Sequence, residues 1–243
     1  MKIITIASLK GGVGKSTLAI FLSQALAQLK TRVLVIDADP NNNMTDYFLR
    51  KIPSEEIESR NLYHVLAGKL DIEQSIYKTI TVDIIPCTVS LHSVGVEFSS
   101  DPASLLRVKP KLKRLDYDFV IIDTPPSLSY ELRIGLFSSD LIVSPISPNR
   151  WIKQGLDLLR SEIQKVEEAT NQTPDILAVP CIISKSDMDK LKFINKEIQS
   201  KTPIFRNGSV RMKAEKGLPL VAGSKPSQEF ISLAKEIIKS KKI

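Results

Sequence analysis

A run of apolar strand-forming residues, Ile3-Ile4-Thr5-Ile6-Ala7, leads through Ser8-Leu9 into Lys10-Gly11-Gly12-Val13-Gly14-Lys15-Ser16-Thr17. An amphipathic stretch to Leu29 follows. This strand, glycine-rich loop and helix order is the context a phosphate loop requires. Glycines admit backbone conformations closed to other residues and let successive N–H groups approach an anion. The helix opening at Ser16 adds its positive dipole end. In such a loop Lys15 reaches the β- and γ-phosphates of a nucleoside triphosphate, and the Ser16 hydroxyl takes one position on an octahedral Mg ion.

The rest of the chain fits the fold that such a loop needs. Short β-branched runs at Lys2 to Ala7, Arg32 to Asp37, Val82 to Pro86, Phe119 to Asp123, Leu141 to Pro145 and Ile176 to Ile183 alternate with helical segments such as Ser16 to Leu29, Ser129 to Phe137 and Lys153 to Ala169. Several strand candidates are almost continuously apolar, as strands covered on both faces are. The alternation predicts an α/β fold, a doubly wound and mostly parallel sheet flanked by helices, in one domain spanning residues 1–243. Ligands of such sheets bind beyond the carboxyl ends of the strands. Two acidic strand ends belong there: Asp37-Ala38-Asp39-Pro40 and Asp123-Thr124-Pro125-Pro126. Carboxylates so placed can hold Mg against phosphates and orient an attacking water.

No apolar run approaches the roughly 20 residues that cross a bilayer, and the N-terminus has no signal-peptide layout, so a cytoplasmic protein is expected. Cys87 and Cys181 sit beside apolar runs and read as core thiols. His64 and His92 have no metal-ligand spacing. The formal charge of +7 is uneven: Ser184 to Ile243 carries 14 Lys or Arg against 6 Asp or Glu. Such asymmetry suggests a polyanionic partner on one face. The candidates are Arg206, Arg211, Lys213 and Lys216, with Lys185 and Lys192 as outliers. A second dense run, Arg107 to Arg114, reads more simply as a solvated helix face. The Glu-rich Pro53 to Arg60 reads as a solvated helix, and Pro226 to Lys242 as a helix docked through Phe230, Leu233, Ala234 and Ile237.

The phosphate loop departs from the ordinary pattern, because Leu9 stands where its first glycine is expected and Lys10 precedes Gly11-Gly12. This KGGxGK[ST] form resembles the deviant Walker A motif of the ParA and MinD group. VLVIDADP resembles that group's switch I, FVIIDTPP its Walker B and switch II, and looser matches continue to the C-terminus. The resemblance implies a small ParA-type partitioning ATPase with no N-terminal helix-turn-helix region. On it, Gly11 to Thr17 bind ATP, and Lys10 reaches a partner subunit's phosphates in a nucleotide-sandwich homodimer. A charge so delivered is worth roughly 10³ to 10⁵ in rate, or about 4 to 7 kcal/mol. Asp39 would orient water, and Asp37 and Asp123 would act near Mg through its waters. Trp151, in a loop resembling the one that leads into the group's dimer-facing helix, is either an interface residue or a partly exposed aromatic covering the sheet edge. The dimer would bind double-stranded DNA nonspecifically on the nucleoid until a ParB-like protein stimulates hydrolysis. One departure stands in switch I: the group continues DxDPQGN, whereas this chain has Asp39-Pro40-Asn41-Asn42-Asn43. Asn tolerates the left-handed backbone a Gly would occupy, so the turn can survive. Three other readings share the loop. A MinD-like ATPase would replace DNA with lipid, an iron-protein-like ATPase would lend both cysteines to a cluster, and a slow-hydrolysing scaffold would coat DNA under nucleotide control.

Overall fold

The apolar runs form strands for the reason their composition gives: each can bury both faces. The computed structural model describes residues 1–98, 101–150, 152–192, 194 and 199–240. Its strands are β1 (Lys2–Ile6), β2 (Val33–Asp37), β3 (Asp83–Ile85), β4 (Phe119–Asp123), β5 (Leu141–Ile146), β6 (Asp175–Ile183) and β7 (Ile204–Phe205). They make one seven-stranded sheet in the order β3-β2-β4-β1-β5-β6-β7, every paired neighbour being parallel. Six strands match the expected runs to within a residue or two. The seventh, β7, is two residues after Pro203 and leaves no periodic signal.

The helices are α1 (Lys15–Gln28), α2 (Asn43–Leu49), α3 (Ser54–Ser59), α4 (Leu62–Leu66), α5 (Val94–Glu97), α6 (Val108–Leu112), α7 (Tyr130–Ser138), α8 (Ile152–Thr170), α9 (Gly208–Glu215) and α10 (Lys225–Lys239). Alternate strand residues enter opposite layers, as the period of two requires. Ile4, Ile6, Val33, Val35 and Ile121 pack under α1 and α10, whereas Ile3, Leu34, Ile36, Val120 and Ile122 pack with Val108, Leu112 and Ile134 of α6 and α7. In α10 the expected Phe230, Leu233, Ala234 and Ile237 are all buried, with the Phe230 ring 5.5 Å from that of Phe21 in α1. The apolar stripe of this helix is core, which removes it as a lipid-facing surface. Lys241 and Lys242 lie outside the described residues, as does Trp151. No described helix is long and apolar enough to cross a membrane.

At the amino ends of the strands, ion pairs close the sheet. Arg32 pairs with Asp116 and Asp118, and Asp140 accepts from the Ile3 N–H at 2.9 Å while pairing with Lys109 at 3.0 Å and Lys113 at 2.9 Å. The dense run from Arg107 is thereby anchored to the fold. The expected solvated face is in part a clamp.

Candidate functional site

Because β4 lies between β1 and β2, the carboxyl ends of three adjacent strands bring the phosphate loop, Asp123 and Asp37 together. Ile6 and Asp37 are both register partners of Asp123. The loop from Ser8 to Gly14 turns into α1, whose first residue is Lys15. Gly12 and Gly14 have φ of 73° and 89°, a region closed to most side chains. Gly14 is constrained twice, since a Cβ built there would stand 2.9 Å from Ile182 Cδ1. Lys15 is buried, its Nζ 3.5 Å from the Lys10 carbonyl oxygen, and burial lowers its pKa against the opposing pull of Asp123 and Asp39. Lys10 is exposed. Beside it opens a cavity of about 370 Å³, lined by Ser8, Val13, Pro145, Asn149 and Gln154 among others. The two lysines of the motif are thus separated into a buried and an exposed one.

The acids divide in the same way. Asp37 is fully buried and its Oδ2 accepts from both the N–H and the hydroxyl of Thr45, each at 2.8 Å, while Oδ1 accepts from the Asp39 N–H at 3.2 Å. Burial raises its pKa to about 6 against the lowering effect of these bonds. Asp123 is as buried, yet neither carboxylate oxygen has a hydrogen-bond partner. Burial, reinforced by the Asp37 charge, raises its pKa well above the usual carboxylate range, and the nearby Ser16 hydroxyl and Lys15 ammonium offset this only in part. An orphaned buried carboxylate is costly unless something cationic comes to it. With Ser16 at the start of α1, the donor set suits a hard cation that takes its remaining ligands from phosphate and water. Among the described residues no group of three or more His, Cys, Asp or Glu could hold a metal by itself.

Asp39 is buried, and its Oδ1 accepts from the Asn41 N–H at 3.0 Å and from Asn41 Nδ2 at 2.9 Å. Asn42 has φ 47° and ψ 32°, so the left-handed position that the missing Gly would occupy is filled by an asparagine. The sequence does not single out Thr45 and Asn41, which hold these acids, because nothing in a DPNNNMT string marks which polar side chain folds back. A second cleft, of about 410 Å³, runs between Pro40-Asn41 and Pro125-Pro126, with Tyr130 and His92 on its wall.

The other candidates separate cleanly. Arg206, Arg211 and Lys216 are exposed and Lys213 half-exposed, on or beside α9, where Arg211 Nε is 2.7 Å from Glu215. Lys192 instead pairs with Asp189 at 2.8 Å. Cys87 and Cys181 are buried, free, and packed in different layers of the sheet, so they cannot approach one shared cluster. His64 bonds the Glu58 carbonyl at 2.9 Å.

The fold and this loop define a P-loop nucleoside-triphosphatase domain of the deviant Walker A kind. Comparison with known proteins agrees. Residues 1–176 match the AAA domain family model AAA_31. The sporulation initiation inhibitor protein Soj of Bacillus subtilis is 29% identical over 252 residues, covering 97% of this chain and 98% of that protein. The chromosome partitioning protein ParA of Caulobacter vibrioides is 28% identical, covering 98% and 94%. A putative plasmid partition protein of Borrelia burgdorferi B31, solved with AMPPNP, superposes with a TM-score of 0.83 at 29% identity, covering 98% of each chain. The chain belongs to the ParA family of partitioning ATPases.

Proposed function

We propose that the protein is a Mg-dependent ATPase whose ATP-bound homodimer binds double-stranded DNA without sequence preference, and whose hydrolysis, stimulated by a ParB-like centromere-binding protein, releases that DNA during plasmid or chromosome segregation. The observation that carries the reading is the division of the motif lysines: Lys15 is buried beside Asp123 and Asp39, and Lys10 is exposed beside an open cavity. In this reading Gly11 to Thr17 cradle the phosphates with backbone N–H groups, and Lys15 neutralises the β- and γ-oxygens. Ser16 and Asp123 would hold Mg, whereas Asp37, expected near Mg as well, has its Oδ2 taken by the Thr45 N–H and hydroxyl and would fix switch I through them. Mg, when bound, neutralises charge on the transferring phosphoryl group. Asp39 orients the water, and Lys10 completes the partner's site, so hydrolysis requires two subunits. Arg206, Arg211, Lys213 and Lys216 meet DNA phosphates.

The test is duplex DNA binding with ATP, ADP and no nucleotide at 50 and 200 mM salt, beside a Lys15→Ala control. Binding only with ATP, weakened by salt and lost in the control, is expected. No binding in any state would sink the DNA reading.

One observation favours a slower variant of the same switch. Asn41 occupies Asp39 Oδ1 with two hydrogen bonds, which leaves this carboxylate less free to hold a water. In that reading the dimer is a nucleotide-gated DNA scaffold, and turnover with DNA and partner present equals that of Asp39→Ala.

A further inference from the structure

β6 does not end as a regular strand. Ile182 has φ 56°, in the left-handed region where a β-branched side chain is a true outlier. It stands between Cys181 and Ile183, where the pairing with β7 shifts register. The neighbours hold it there: both are buried, they pair with Ile204 and Phe205, and the Ile183 carbonyl accepts from the Arg206 N–H at 2.8 Å. Core packing does not explain the strain, because Ile182 is 37% exposed and belongs to none of the buried clusters. What the distortion achieves is a direction. The side chain is turned onto the phosphate loop, where its Cδ1 and Cγ1 lie 2.9 and 3.4 Å from a Cβ built on Gly14. Gly14 is the N-terminal cap of α1, and its carbonyl accepts the helix's first hydrogen bond, from the Leu18 N–H at 2.8 Å.

Backbone strain held in place by its surroundings concentrates at ligand clamps and pre-organised sites. We propose that Ile182 is a positioning residue for the phosphate loop: the bulge at the end of β6 exists to seat an apolar prop on Gly14, fixing the loop in its binding conformation before nucleotide arrives. The proposal rests on the reading of this loop as a nucleotide site. A glycine loop with no prop samples more conformations, and the ordering must then be supplied at the moment of binding. A side chain that removes the strain also removes the prop, so stability and affinity move in opposite senses.

Three variants of the full chain separate the two effects. Asparagine and glycine accept φ 56° but make no apolar contact, whereas leucine keeps the reach without the β-branch. Binding of Mg-ADP is measured by calorimetry, and thermal unfolding is measured without nucleotide. Ile182→Asn and Ile182→Gly are expected to melt at or above the wild-type temperature and to bind Mg-ADP about tenfold more weakly, the loss of a pre-organised site. Ile182→Leu is expected to bind within about threefold of wild type, since the prop is restored. Wild-type affinity in the Asn and Gly variants overturns the proposal, and so does a lowered melting temperature in both, which makes Ile182 a structural residue. A wild-type protein that binds no Mg-ADP overturns the nucleotide reading instead.

Discussion

Asp123 concentrates the conflict between stability and use in this molecule. It is a fully buried carboxylate without a hydrogen-bond partner, and burial raises its pKa far above that of an exposed aspartate. The sign follows from linkage. A folded-state pKa above the unfolded value makes the folded form hold its proton longer, so this group's contribution is full below about pH 4 and is lost as pH rises toward the folded value. Asp37, raised to about 6, adds to the same trend between about pH 4 and 6. Asp123→Asn should therefore melt above wild type at pH 8 without nucleotide, with the gap closing toward pH 4, while losing Mg-dependent nucleotide binding. Thermal melts across that range with and without Mg-ATP check both halves. Asn42 makes a gentler case. Its left-handed backbone suits glycine at least as well, so Asn42→Gly is expected to shift stability by less than about 1 kcal/mol in denaturant titration. At this scale the sequence was legible where chemistry demands a residue type in a fixed place, as in Gly14-Lys15-Ser16 and the two aspartates ending β2 and β4. It was silent on Thr45, Asn41 and Ile182, because a side chain folding back, or one reversed φ inside an apolar run, leaves periodicity unchanged.

Among the elements, α10 and α7 show how local signals become packing. The spacing of Phe230, Leu233, Ala234 and Ile237 places them on one stripe, and that stripe fills the groove beside α1. Phe230→Ala, at a site 1% exposed, is expected to cost about 3 to 5 kcal/mol in chemical denaturation. In α7, the Ser129 side chain caps the helix by accepting from the Leu132 N–H at 3.4 Å. Ser129→Ala should cost about 1 kcal/mol and leave nucleotide affinity alone. The long strands were legible because both faces of a parallel strand are apolar. β7 was not: two residues carry no alternation, and their pairing is decided by the bulge in β6 opposite. The basic run at Arg107 shows the reverse limit. Its charge density is plain in the sequence, but Asp140, which neutralises two of its lysines, is distant in the chain.

For the whole molecule, charge is the property that one residue cannot carry. The basic excess of the C-terminal quarter gathers partly at α9, while the other dense run is tied to Asp140. If about 4 to 6 phosphates are neutralised by a dimer, DNA affinity falls roughly 10² to 10³ between 50 and 200 mM salt. Arg211→Ala combined with Lys213→Ala should weaken binding to all sequences alike and flatten the salt dependence, as read by fluorescence anisotropy. A salt response that both substitutions leave untouched places the DNA face elsewhere.

Strands that all point one way give the sheet two unlike rims. The phosphate loop, Asp37, Asp39 and Asp123 stand on one, and Arg32, Asp116, Asp118 and Asp140 lace the other. The laced rim is therefore a handle. Asp116 has an 87% exposed side chain there, and both native thiols are buried with their pKa pushed up, so neither reacts readily. A dye coupled to Asp116→Cys would report on this protein from the rim opposite the phosphate loop.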